Sequence, residues 1–152
     1  MHKILVTGGL GFIGSNLIAM LLKKNYSVIN VDKVSYASNF YNTKFFIKNK
    51  NYRFIKCNIE NTKKIDTILR KFNPHCIFNL AAETHVDRSI DSPKNFINAN
   101  ILGTFSLLES FKNYSKKNKK IRLIHVSTDE VYGDVLKGRS KETDAYKPSS
   151  PY

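Results

Sequence analysis

The chain has 152 residues, 41% hydrophobic and 24% charged, and its 25 lysines and arginines against 12 acidic residues give a formal charge of +13. That length holds one domain with a sizeable core, or the first part of something larger, and the composition is that of a soluble globular protein. The charge raises nucleic acid and anionic membranes as partners. The basic residues are scattered, however, apart from Lys116, Lys117, Lys119 and Lys120, and neither partner is expected. A basic chain does suit an anionic small substrate such as a nucleotide.

In chain order, short β-branched runs alternate with longer helical patterns. Lys3–Thr7 (KILVT) is continuously apolar rather than alternating, which marks a strand buried on both faces. After a glycine-rich turn, Phe12, Ile13, Leu17, Ile18, Leu21 and Leu22 recur at helical spacing up to Lys24. Tyr26–Asp32 (YSVINVD) is a second strand, and a polar, aromatic stretch leads to a third, Tyr52–Ile59 (YRFIKCNI). Asn61 or Thr62 is placed to cap a helix running to Phe72, with Pro74 past its end. Cys76–Ala82 is strand four, Ser92-Pro93 opens a long helix to about Tyr114, and Arg122–Ser127 is strand five. Ser149 or Ser150 with Pro151 looks like the start of another helix. This alternation predicts an α/β fold: a doubly wound parallel sheet of at least five strands with right-handed crossovers, incomplete at its C-terminus.

Cys57 and Cys76 sit on apolar stretches without CxxC spacing and read as buried free thiols; the histidines lack ligand spacing, and no metal is expected. The charge-free run Ile4–Leu22 imitates a signal peptide, but it contains a patterned glycine loop and no A-x-A cleavage site. A cytoplasmic protein is expected.

Gly8, Gly11 and Gly14 stand between strand one and helix one, spaced G-x-x-G-x-x-G rather than the commoner G-x-G-x-x-G. The physics is shared. One glycine makes the tight turn, one lets the backbone approach a pyrophosphate, and one lets helix and strand pack closely. The helix N-terminus then offers free N–H groups and partial positive charge to the phosphates. Asp32, at the end of strand two, can accept hydrogen bonds from an adenosine ribose and would repel a 2′-phosphate. NAD is therefore expected over NADP, an expectation that the adjacent Lys33 weakens only slightly.

T-G-G-x-G-F-I-G resembles the pattern of the extended short-chain dehydrogenases/reductases, which act mostly on nucleotide sugars and carry an NAD-binding Rossmann fold. The resemblance continues through Asp32–Asn39 (DKVSYASN), Leu80–Ile90 (LAAETHVDRSI), Asn100–Ser110 (NILGTFSLLES) and Ser127–Asp134 (STDEVYGD). Together these motifs are similar to the dTDP-glucose 4,6-dehydratase family. The resemblance implies NAD contacts from the glycines with Phe12 and Ile13, from Asp32, Lys33 and Ser35, from Asn58 and Ile59, and from Leu80, Ala81, Ala82 and Thr84. It also implies a nucleotide-sugar substrate contacted by Thr84 and Thr128. In the implied reaction Tyr152 takes the O4 proton as C4 is oxidised, Glu130 removes the C5 proton, and Asp129 protonates the departing 6-hydroxyl. Hydride then returns to C6.

Eliminating water demands one base and one acid, each worth roughly 10²–10⁴ in rate, and neighbouring like charges favour one proton shared between them. On an ideal strand Asp129 would point opposite to Thr128 and Glu130, so both acids reach one substrate only if the chain leaves the strand there. The alternatives are a solvated Asp-Glu loop and, for Arg88, a surface pairing with Asp87 or Asp91. Asn100 and Gly103 are weighted toward packing.

Asn58 stands where the family usually has an aspartate that accepts from the adenine amino group, and Ala99 where a threonine is common. The family is roughly twice this length. Its second, nucleotide-sugar-binding domain is expected to lie outside residues 1–152, along with the lysine of the Y-x-x-x-K motif that Tyr152 would open. The 152 residues alone are therefore expected to be inactive, with homodimers possible at full length. Two other readings stay open: a relative using UDP-glucose, and a non-catalytic NAD-binding module.

Overall fold

The computed structural model describes residues 2–135 and 137–152. Five strands, β1 (Lys3–Thr7), β2 (Ser27–Asp32), β3 (Tyr52–Lys56), β4 (Cys76–Asn79) and β5 (Arg122–His125), form one sheet in the order β3-β2-β1-β4-β5. All four pairings are parallel. The strand order runs outward from β1 in both directions, so the winding reverses between β1 and β4. Open α/β sheets bind ligands at the carboxyl ends beside such a reversal.

Among the described residues the α-helices are α1 (Phe12–Lys23), α2 (Thr62–Phe72), α3 (Val86–Asp91), α4 (Pro93–Phe96) and α5 (Thr104–Ser115). A π-helical stretch, Ile97–Gly103, joins α4 to α5. The pleat sends successive residues of β1 into opposite layers. Ile4 and Val6, with Val28, pack under α1 against Ile18, Leu21 and Leu22. Leu5, with Ile29, Val31 and Ile77, packs on the other face against Ile65, Ile68 and Leu69 of α2 and Leu107 of α5. Burying each such aliphatic side chain contributes about 1.5–3 kcal/mol, and this is why β1 must be apolar without alternation. The helix expected after Asn61 is capped as read: Asn61 Oδ1 accepts from the Lys64 N–H at 3.0 Å, and Asn73, left-handed at φ 48°, closes the C-terminus ahead of Pro74.

Three strands end sooner than the sequence suggests. After Cys57 N–H bonds to the Asp32 carbonyl at 2.9 Å, Asn58 Oδ1 accepts from Glu60 N–H at 3.2 Å and turns the chain out of β3. β4 ends at Asn79 because the Thr7 hydroxyl, rather than a backbone carbonyl, takes the Ala81 N–H at 3.2 Å. β5 ends at His125, with one last ladder bond from Val126 N–H to Asn79 O at 3.1 Å. α3 and a 3₁₀ turn at Phe40–Thr43 were not anticipated. Residues 149–152, where the start of a further helix was expected, are not helical up to Tyr152.

Candidate functional site

A crevice of about 480 Å³ opens at the carboxyl ends of all five strands, within the roughly 300–1,000 Å³ typical of small-molecule sites. Every residue assigned to a cofactor from the sequence lines it, from Gly8, Gly11, Phe12, Ile13 and Gly14 through to Leu80, Ala81, Ala82 and Thr84.

On one wall the turn from β1 into α1 is built by glycine. Gly8 has φ +69°, and a Cβ there would lie 2.7 Å from the Leu80 carbonyl oxygen and 2.8 Å from the Ala81 nitrogen. At Gly11 a Cβ would meet only the Gly8 oxygen, at 3.3 Å, so its missing side chain leaves open space on the crevice side. Gly11 caps α1 without any side-chain hydrogen bond, and the first turn carries no acidic residue. The leading N–H groups of a twelve-residue helix and their positive dipole end therefore stand uncompensated. Phe12 and Ile13, read from sequence as part of the helix's apolar face, are instead 81% and 61% exposed on the crevice rim. Only the residues from Gly14 onward turn inward.

Asp32, at the end of β2, is buried. Its Oδ2 accepts from Leu10 N–H at 3.0 Å, and its Oδ1 accepts from Val34 N–H and from the Ser38 hydroxyl, both at 2.8 Å. One carboxylate thus latches the glycine turn to the 33–38 loop, and each oxygen has lone-pair capacity that differs: Oδ1 is filled, Oδ2 has room for another donor. Val34 is held at φ 65°, a left-handed conformation rare for a β-branched residue. Ser35 lines the crevice, as do Ala37 and Ser38, which the sequence reading passed over.

Lys33 lines the same end. Its ammonium lies 2.7 Å from Glu83 Oε1, and the Glu83 side chain is buried. Glu83 went unnoticed in the sequence; a lone charge inside the small, apolar run LAAET was the available sign. Asn100, on the π-helical stretch, clamps Glu83's backbone with two 2.9 Å bonds, accepting from its N–H and donating to its carbonyl. That supports the packing role expected of Asn100. Gly103 serves the same contact surface, since a Cβ would meet Ile59 Cγ1 at 2.9 Å. Asn58 and Ile59 line the crevice beside buried Cys57, whose thiol is pushed up from its ordinary pKa by burial, with Lys64 opposing. Asn58 donates to Glu60 Oε1 at 3.0 Å while accepting from Glu60 N–H, leaving one acceptor position on its oxygen.

Beneath the opposite wall the Thr7 hydroxyl donates to Asn79 Oδ1 at 2.5 Å, and Asn79 Nδ2 lies 2.9 Å from His125 Nδ1. This polar chain, buried at Thr7 and Asn79 and exposed at His125, ties β1, β4 and β5 together where the strands stop. Val126 and Ser127 then line the crevice, and Tyr152 reaches it from the far end of the chain, its ring 6.3 Å from that of Phe96. Thr128, Asp129 and Glu130 do not line it. They sit just past Ser127, in a 3₁₀ turn (Asp129–Tyr132) capped by Thr128, whose hydroxyl accepts from Glu130 N–H at 3.2 Å. The chain has left the strand at the acidic pair, as the two-acid reading requires. Gly133, at φ 74°, closes the turn, and Lys147 N–H bonds to Val131 O at 3.0 Å, bringing the last residues back alongside. Arg88 pairs with neither Asp87 nor Asp91; its guanidinium lies 4.0 Å over the Tyr36 ring.

A doubly wound parallel sheet with a glycine turn, an acid at the end of β2 and a ligand-sized crevice across its strand ends defines a Rossmann-type, dinucleotide-binding class of domain. Within that class the sequence matches the GDP-mannose 4,6 dehydratase family over residues 5–152, and the chain belongs to that family. The dTDP-glucose 4,6-dehydratase of Neisseria meningitidis is 44% identical over 161 residues, an alignment covering 100% of this chain and 45% of that protein. The crystal structure of dTDP-glucose 4,6-dehydratase from Bacillus anthracis, in complex with NAD, matches with a TM-score of 0.85 at 39% identity, covering 100% of this chain and 46% of that one. That from Streptomyces venezuelae, with NAD bound, gives 0.89 at 36% identity, with 99% and 47% covered. The chain spans a little under half the length of these relatives.

Proposed function

We propose that this chain is the NAD-binding half of a dTDP-glucose 4,6-dehydratase. The observation that carries the reading is the continuity of one crevice, from the open α1 N-terminus and Asp32 to Ser127 and Tyr152 beside the Thr128–Glu130 turn. In this reading Gly11 and the N–H groups of Phe12, Ile13 and Gly14 hold the pyrophosphate. Asp32 Oδ2 takes a ribose hydroxyl, Asn58 and Ile59 flank the adenine, and Leu80–Ala82 with Thr84 border the nicotinamide end. Bound NAD would supply a hydride acceptor for sugar C4 and a hydride donor for C6.

The chain's own residues move the protons. Tyr152 takes the O4 proton and Thr128 holds that oxygen. Glu130 accepts the C5 proton while Asp129 gives a proton to the departing 6-hydroxyl, so that water leaves across C5–C6, and Glu130 would return its proton to C5 when hydride is delivered to C6. Two carboxyls on one turn suit this division, because their mutual repulsion favours one protonated and one ionised. The groups that read the base and the sugar belong to the part of the relatives beyond the matched half, with residues 1–152 as part of the Rossmann domain.

The test is conversion of dTDP-glucose by the intact protein, followed by NMR of the 4-keto-6-deoxy product. Glu130→Gln and Asp129→Asn should each lower kcat roughly 10²–10⁴-fold while NAD binding holds. Product from UDP-glucose and none from dTDP-glucose would move the substrate class. NAD binding without turnover of any nucleotide sugar would leave a non-catalytic dinucleotide module.

A further inference from the structure

Lys33 is the one cationic residue lining the crevice among the described residues, and it follows Asp32 directly. Its ammonium is held 2.7 Å from Glu83, whose side chain is 8% exposed against 36% for Lys33. Glu83 does not line the crevice; it stands behind Lys33. Asn100 fixes its backbone N–H and carbonyl, each at 2.9 Å, so the side chain springs from a held position.

We propose that Glu83 sets the choice between the two nicotinamide dinucleotides, by holding the Lys33 ammonium away from the adenosine 2′ position. The inference rests on the dinucleotide reading above. A 2′-phosphate beside an acid such as Asp32 needs a cation to offset the repulsion. Lysine is a compact point charge on a flexible four-carbon stem, able to swing to a phosphate when untethered. With Glu83 present, two carboxylates and one ammonium leave the corner at net −1 and the ammonium engaged. With glutamine at 83 the corner is neutral and the ammonium keeps at most a bond to an uncharged amide oxygen, a weaker tether. At an effective dielectric of about 20, one charge acting over about 7–10 Å changes affinity roughly 15–50-fold. Glu83 is thus a positioning residue that works through Lys33.

The experiment is titration calorimetry of NAD⁺ and NADP⁺ against the nucleotide-stripped full chain, as wild type, Glu83→Gln and Glu83→Gln/Lys33→Met. Wild type should prefer NAD⁺. E83Q should narrow that preference at least 10-fold, chiefly by tightening NADP⁺, and the double variant should restore it to within about threefold. A merely structural role would weaken both dinucleotides together and leave the ratio unmoved. That result in a folded E83Q, or a double variant that stays relaxed, overturns the proposal. Should E83Q fail to fold, wild-type protein with ¹⁵N-labelled lysine decides the matter on titration with 2′-AMP. A Lys33 ammonium resonance that shifts overturns the proposal, and one that stays in place supports it. Wild type that binds neither dinucleotide overturns the site reading itself, whereas an unmoved ratio overturns only the role of Glu83.

Discussion

Replacing Gly8 with alanine sets a methyl group against backbone that cannot step aside. Gly8 has φ +69°, and its Cβ would stand 2.7 Å from Leu80 O and 2.8 Å from Ala81 N, backbone held just past the ladder by bonds from Leu80 N–H to Thr7 O and from Ala81 N–H to the Thr7 hydroxyl. A left-handed alanine costs about 1–2 kcal/mol, and forcing a methyl into packed structure adds about 1–3 kcal/mol. The expected loss is about 2–5 kcal/mol, a large share of the roughly 5–15 kcal/mol that holds a domain folded. Gly11→Ala is the matched control: its backbone has φ −73°, and the added carbon meets only Gly8 O at 3.3 Å. A poorer helix cap should cost it about 1 kcal/mol or less. Urea denaturation followed by circular dichroism reads both. NAD⁺ titration should then separate them from the other side, since G11A fills the space left for a pyrophosphate and should weaken binding at least tenfold in a folded protein. A Gly8→Ala loss under about 1 kcal/mol refutes the steric reasoning. Undiminished NAD⁺ affinity in G11A refutes the assignment of that space.

Asn100→Ala strips both bonds from Glu83's backbone and should cost about 2 kcal/mol or more in the same denaturation assay; a loss below about 0.5 kcal/mol would mean that water replaces the amide without penalty. Asp32→Asn leaves one acceptor oxygen for three donors, so about 1–3 kcal/mol should be lost, and an unchanged Tm would show that the carboxylate is not the latch. Burial raises the pKa of the Cys57 and Cys76 thiols and of the Tyr52 and Tyr114 phenols. The folded form therefore keeps these protons to higher pH than the unfolded one. Their contribution is intact below the unfolded thiol value of about 8.5 and is lost as pH climbs past it. Tm should fall between about pH 8 and pH 10, less steeply in Cys57→Ala, and a flat profile would contradict the burial.

What was legible in the sequence is what repeats or is local. The apolar runs of β1 and β2, the glycine turn and Asp32 are each defined within a few residues, and the structure puts them where they were read. Two strand ends were misjudged because side chains set them: Thr7 ends β4 from another strand, and Asn58 ends β3 by turning its own backbone. α3 spans six residues, too few to display a period. The long helix after Pro93 was anticipated; its π-helical middle, which carries the Asn100 that bonds Glu83 seventeen positions away, was not. Glu83 stayed hidden because its partner, Lys33, lies fifty positions earlier. Polar residues inside apolar runs, Thr7, Asn30 and Asn79, were the visible traces of such long-range bonds.

Val34 is a small spring. A branched side chain at φ 65° stores about 1–2 kcal/mol of backbone strain, and the catch that keeps it wound is Asp32 Oδ1. An occupant of the crevice that took that oxygen would unwind the loop, trading internal order for its own grip. One that used Oδ2 would leave the spring loaded, so loop mobility on occupancy reports which of the two oxygens a guest has chosen.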